Sequence, residues 1–256
     1  AISGPFIVAT QYLSHGSWGT SVRRIPEAFG WFLAPATALG IIALLGAEHI
    51  LPWMNYDHSD VAHHVTHIIG LKDGYLNMTG LTIATIAGPL LTTGVYALIR
   101  RNSVKQDDTG DPKLFTYNKW LSAIFLVVFV LTYSNLSYFW TMSLEPTWFS
   151  HIWNVYTFAG MFQTGLALFA IVAIRMLQDD AFGEFAGTYQ IHSIGQLVFA
   201  FTVFYAYIAF CQFLLIWYAN IPEETAWFVH RINDVGWGWF ILLWSTKFII
   251  PFFVLL

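Results

Sequence analysis

Residues Lys119–Trp140 read KWLSAIFLVVFVLTYSNLSYFW. Between the lysine and the closing tryptophan no residue carries a charge. Such a run is long enough to cross a hydrocarbon core of about 30 Å, which takes roughly 20 helical residues. Five further stretches have the same character: Phe29–His49, Met78–Ile99, Trp148–Leu177, His192–Tyr218 and Val235–Leu256. The fourth in chain order, Trp148–Leu177, is long enough to tilt or to project from the bilayer. The fold class expected is therefore all-α, a polytopic transmembrane helix bundle forming one domain over residues 1–256. Ala1–Leu13 has the composition of the end of another span, and Leu256 closes inside an apolar run. The expectation is about seven spans, the first and last truncated, in a chain that is part of a longer one.

Composition supports this reading and excludes others. Hydrophobic residues make up 57% of the 256 and charged residues only 10%, against about 25% charged in ordinary soluble domains. A water-facing surface cannot be built from so few charges, whereas lipid removes the need. Twelve Trp, 12 Tyr and 23 Phe suit the aromatic belts of a membrane protein. A net charge of -4 gives no electrostatic footprint for nucleic acid. The single cysteine, Cys211, excludes an internal disulfide and a cysteine-ligated iron–sulfur site within the chain.

Loop charge orients the bundle. The connections are Ser14–Ala28, Ile50–Asn77, Arg100–Asn118, Thr141–Thr147, Gln178–Ile191 and Ala219–Asp234. The first, third and fifth, with their flanks, hold Arg23, Arg24, Arg100, Arg101, Lys105, Lys113, Lys119 and Arg175; the others hold only Lys72 and Arg231. The positive-inside rule makes the first set cytoplasmic. The second set then faces the periplasm of a bacterium or the equivalent outer side, and the expected location is the bacterial inner membrane. Within the spans, Pro35, Gly40, Gly88, Pro89, Gly160 and Gly165 are read as sites of close helix packing or local kinks.

Polar residues in lipid cost free energy and so call for a reason. Lys247 lies about twelve residues, roughly 18 Å, into the last span, near the midplane, where a buried amine can exchange a proton. Towards the outer ends gather Glu48, His49, Asn135, Tyr138, Glu145, His151, Asn154, Gln212, Tyr218, Glu223, Glu224, His230, Arg231 and Asp234. Deeper lie Tyr156 and Gln163, seven residues apart on one helix face, and Tyr205. Carboxylates and imidazoles with intervening Tyr, Asn and Gln suit a proton wire, and equally a quinol head group, whose oxidation discharges two protons to a base. The structural alternative is a wet interface with capping carboxylates. A bis-histidine haem within the chain is not expected, because His151 and His192 belong to opposite faces of the membrane. The outer loop 50–77 is expected to carry a short amphipathic helix against a partner subunit. In it His63 and His67 stand at i,i+4, but His64 breaks the HExxH pattern, and no metal is assigned.

Three blocks carry a family resemblance: Trp140 to Ser150 (WTMSLEPTWFS), Phe210 to Thr225 (FCQFLLIWYANIPEET) and Gly70 to Asn77 (GLKDGYLN). Their sequence and spacing resemble the ActF subunit family of bacterial alternative complex III, a quinol:cytochrome c oxidoreductase, within the NrfD/PsrC-like membrane proteins. The resemblance implies paired four-helix bundles. It implies partners: a related NrfD-like subunit, an iron–sulfur periplasmic subunit and haem c subunits that hold the iron–sulfur clusters and haem c. It also implies a role in the electron transport of a respiratory chain. The expected function is that of a membrane subunit of this quinol-oxidising complex, carrying no redox centre and contributing proton translocation. Its path would run over Lys247, Gln163, Tyr156, Gln212, Asn135, Tyr138, Glu145, His151, Asp234 and Glu48. The second reading is a quinone site in which Trp140, Trp217 and Tyr218 flank the ring and His151 or Glu145 takes its proton. A third, from another class, is a secondary transporter or structural scaffold. A transporter would be expected to show broken helices and repeats near the midplane.

Overall fold

The computed structural model describes residues 1–55 and 70–256, and among these every regular element is helical. Eleven α-helices carry the description: α1 Ser3–Ser14, α2 Arg24–Phe29, α3 Leu33–Leu45, α4 Ala47–Ile50, α5 Met78–Thr109, α6 Pro112–Trp140, α7 Trp153–Gln178, α8 Thr188–Ala219, α9 Pro222–His230, α10 Trp237–Trp244 and α11 Ile250–Leu255. Among the described residues, six helical stretches are long and apolar enough to cross a membrane: Arg24–Leu45, Met78–Thr109, Pro112–Leu144, Trp153–Gln178, Thr188–Ala219 and Trp237–Leu255. This is the pattern of a multi-pass membrane protein. The six correspond one to one with the six stretches read from the sequence. Helix α1 is shorter, and its Ile7, Val8, Ala9 and Tyr12 are buried. The amphipathic-helix reading and the His63/His67 pair fall outside the described residues.

Helix ends depart from the apolar runs for local reasons. Helix α5 continues ten residues past Ile99 because its polar tail is still helix-compatible, and it stops at Gly110, whose φ of +64° is the left-handed cap glycine tolerates. Helix α6 starts at Pro112, where a missing N–H costs nothing, and the carboxylate of Asp111 accepts the Lys113 N–H at 2.9 Å. Helix α7 starts only at Trp153. The residues before it, which the hydropathy placed in the span, form a packed loop around Trp148, 1% exposed.

The chain divides into two compact units, with boundaries inside helices. The first comprises Ala1–Ile41, Thr85–Tyr133 and Thr164–Val198. All eight basic residues assigned to cytoplasmic loops belong to it. Its helices meet where side chains are small. A Cβ on Gly165 would lie 2.2 Å from Ser3 Oγ, and one on Gly88 would lie 2.9 Å from Thr132 Cγ2. Both glycines therefore serve close packing. The second unit comprises Ile42–Ala84, Ser134–Gln163 and Phe199–Leu256. One of its cores joins Ala47, Leu51, Leu81, Ala84 and Phe139, with Trp140 packed against them; another joins Trp148, Trp153, Ile216 and Trp227. Large apolar side chains such as Leu45 and Leu131 are exposed, as lipid-facing residues are.

Candidate functional site

The last span is not a regular α-helix. Between α10 and α11, Ser245–Ile249 forms a π-type turn with Lys247 at its centre. The cause is legible in the sequence. Pro251, four residues after Lys247, has no N–H to give to the Lys247 carbonyl. That carbonyl instead accepts the Gln163 Nε2 at 2.7 Å. The same amide donates to Thr202 Oγ1 at 3.0 Å, and Gln163 and Thr202 are both buried. A wide turn of this kind is frequent at functional sites. The Lys247 ammonium donates to the Gly160 carbonyl at 3.3 Å and lies 5.8 Å from the ring centre of Tyr205. Gly160 permits this approach, since a Cβ there would stand 3.2 Å from the same ring.

Tyr205 leads onward. Its hydroxyl and that of Tyr156 are 2.9 Å apart, and their rings stack at 5.4 Å. Both tyrosines line a cavity of about 350 Å³ with Gln212, Phe213, Trp227, Arg231, Trp237 and Trp244. Gln212 is 3% exposed, and its amide nitrogen has no hydrogen-bond partner among the described residues. Leaving such a group unpaired costs on the order of 1–3 kcal/mol, so the cavity wall contains an unmet donor. Arg231 sits 3.9 Å over the Trp227 ring. Its loss of hydration there pushes its pKa down, while Tyr156 and Glu145 hold it up. Arg231 opens a second π-type turn, Arg231–Val235, which ends at Gly236 with φ +85°.

Beyond the cavity is a carboxylate–imidazole group. His230 Nδ1 is 3.3 Å from a Glu145 oxygen, and His230 Nε2 is 2.5 Å from Asp234 Oδ2. The i,i+4 spacing of His230 and Asp234 makes the second contact. His230 is exposed, so this group meets the surroundings of the protein.

The three sequence blocks of the family resemblance converge in this unit. Lys72 of the Gly70–Asn77 block donates to the carbonyls of Pro146 and Trp148 at 2.6 and 2.9 Å. Burial lowers its pKa. Trp148 Nε1 donates to the Glu224 carbonyl at 3.2 Å, and the Trp148 ring stacks on Trp227 at 5.1 Å. Thus Lys72, read from the sequence only as a loop charge, is a clamp across two loops.

Of the residues expected to share a path, Lys247, Gln163, Tyr156 and Gln212 lie along one line of contacts and a cavity wall, and Glu145 and Asp234 meet through His230. Asn135 and Tyr138 belong to a different group. Asn135 accepts the Tyr75 hydroxyl at 2.9 Å, and the Tyr75 and Tyr138 rings lie edge to face at 6.4 Å. Tyr138 and Glu145 line a smaller cavity with Lys72 and Tyr75. His151 is exposed just before α7, and Glu48 is exposed in α4. Trp140 packs on the Phe139 core, while Trp217 and Tyr218 are 65% and 83% exposed and do not line the cavity beside Tyr156 and Tyr205. His230, Tyr205 and Arg231 are connecting residues that the sequence reading names but leaves off the path. Their signal was present: His230 stands four before Asp234, and Tyr205 is polar deep in a span. Among the described residues, no group of three or more His, Cys, Asp or Glu is arranged to hold a metal ion. Comparison with protein-family models and with curated proteins finds no match for this chain.

Proposed function

We propose that this chain is a proton-conducting membrane subunit of a respiratory quinol-oxidising complex in a bacterial inner membrane, of the NrfD/PsrC-like type. In this reading the haem c and iron–sulfur centres belong to partner subunits. The observation that carries it is the polar line from Lys247 to Glu145. Lys247 adjoins Tyr205, whose hydroxyl pairs with Tyr156; Arg231 couples electrostatically to Tyr156 and to Glu145, and Glu145 meets His230, which in turn meets Asp234. A tyrosine hydroxyl can accept a proton on one side while donating on the other. A paired set therefore passes protons without a net charge resting in lipid. Arg231 keeps its charge throughout; its role is to hold the electrostatic balance between the tyrosine pair and the acidic exit.

Tyr205→Phe removes one hydroxyl of the pair and keeps the ring stack. In proteoliposomes carrying the whole complex, quinol oxidation is expected to continue while protons translocated per electron fall. An unchanged ratio removes the tyrosines from the path. Failure of the tagged chain to copurify with haem c subunits removes the respiratory assignment itself.

One observation favours a second reading, a quinone in the 350 Å³ cavity. In this reading a flat carbonyl-bearing ring lies among Phe213, Trp237 and Trp244, which line the cavity, and accepts from the unpaired Gln212 amide. Gln212→Leu would then raise the quinol KM about tenfold, the effect of losing one buried hydrogen bond of roughly 1.4 kcal/mol. A KM equal to that of the parent protein excludes the site.

A further inference from the structure

The first unit holds a cavity of about 430 Å³ that the proton path does not use. Its apolar wall is Trp31, Ala34 and Ala97, from two membrane-spanning segments, and its rim is Arg100 and Arg101. Gly30 forms part of the wall, where a Cβ would strike the Tyr96 ring at 2.0 Å, so this side is shaped by a glycine and cannot close by side-chain growth. Trp31 and Val104 of the lining are 67% and 43% exposed, so the cavity opens on an apolar outer surface of the kind that faces lipid.

The charges of the rim and of the ion pairs joined to it through Arg100 do not cancel. Arg23, Arg24 and Arg100 share two carboxylates, Glu27 and Asp107. Arg101 is exposed at the cavity rim as a fourth guanidinium. The named groups therefore carry two positive charges in excess. Arg100 is also held in place, 5.3 Å from the Trp31 ring centre and 3.3 Å from Glu27 Oε2, so one donor is oriented before any ligand arrives. Thr93 adds a buried hydroxyl with no partner among the described residues, on the same wall.

An apolar trough between spans, ending in surplus guanidinium charge at the membrane edge, matches one class of molecule. We propose that it binds an anionic phospholipid, with the phosphate on Arg101 and Arg100 and an acyl chain along Trp31, Ala34 and Ala97. Guanidinium forks suit phosphate oxygens, and basic recesses between spans on the positively charged side are where acidic headgroups collect. This site is independent of the proton path.

The test is native mass spectrometry of the full-length protein in its purified assembly, titrated with dioleoyl phosphatidylglycerol or dioleoyl phosphatidylcholine. The parent protein is expected to prefer the anionic lipid. Arg101→Gln should reduce that preference about fivefold, the effect of one basic residue at such a surface. Ala97→Trp, which fills the trough and leaves the charge, should remove the bound lipid. Lys113→Gln, an exposed residue elsewhere in the same unit, should change neither. Equal affinity for both lipids, an unchanged preference in Arg101→Gln, or retention of lipid by Ala97→Trp overturns the proposal. So does displacement of the lipid by millimolar inorganic phosphate, which would mark a free-anion site.

Discussion

Lys247→Met is expected, on the proposed function, to stop proton translocation through this chain while the complex still assembles and oxidises quinol. Lys247 is ten residues into the span Trp237–Leu255, or about 15 Å along it at 1.5 Å per residue. An ionisable group at that depth costs several kcal/mol, so its removal should not unfold the bundle. Met keeps an unbranched stem against the Tyr205 ring and loses only the ammonium. The Gln163 bond to the Lys247 carbonyl is a main-chain contact and survives the change. Lys247→Arg separates two roles. Arginine keeps the positive charge but does not release its proton at accessible pH. If Lys247 acts by exchanging a proton, the arginine variant fails as the methionine variant does. Only a static charge is rescued by arginine. The readout is protons per electron in proteoliposomes with a pH indicator, and an unchanged ratio in Lys247→Met removes Lys247 from the mechanism.

The sequence made the spans legible because lipid imposes a one-dimensional rule, an apolar run of fixed length. It also made legible which residues are expensive: Lys247, Gln163, Tyr156 and Gln212 were singled out because polar atoms in a span need a reason. What it concealed was pairing. Tyr205 reaches Tyr156 across 49 positions and Lys72 reaches Pro146 across 74, and no periodicity encodes such contacts. Trp217 and Tyr218 illustrate the converse. They are aromatic and sit at a span end beside Gln212, yet helix α8 turns them outward, because neighbours in sequence on a helix point to different faces. The π-type turn at Lys247 lay between these cases. Pro251 announces a lost hydrogen bond, but whether a helix answers with a kink or a wide turn depends on who satisfies the freed carbonyl. Gln163, 84 positions away, does so.

Glu27→Gln is expected to give the largest loss of stability of any single substitution considered, about 3 kcal/mol, read as a fall in the thermal midpoint of the detergent-solubilised protein. Glu27 is fully buried. One carboxylate oxygen accepts from Ser103 at 2.6 Å and lies 3.3 Å from Arg23 Nε; the other meets Arg24 and lies 3.3 Å from Arg100 Nη1. Its main-chain carbonyl accepts from Tyr96. Gln preserves the shape and an acceptor for Ser103 but removes the charge on which three guanidiniums converge. Their mutual repulsion is then uncompensated, and breaking a buried pair from one side costs far more than deleting the pair. Arg24 behaves differently, being 38% exposed and paired also to Asp107. Arg24→Met should therefore cost only about 1 kcal/mol. Arg100→Met placed on top of Glu27→Gln should recover part of the loss, since it removes one of the stranded charges. High salt should do little, because a fully buried carboxylate is poorly screened. A small loss in Glu27→Gln, equal to that of Arg24→Met, would mean that the arginines are stabilised by their surroundings and not by Glu27. These arginines would then be surface charges, as the sequence alone reads them, and not the shell of a buried anion.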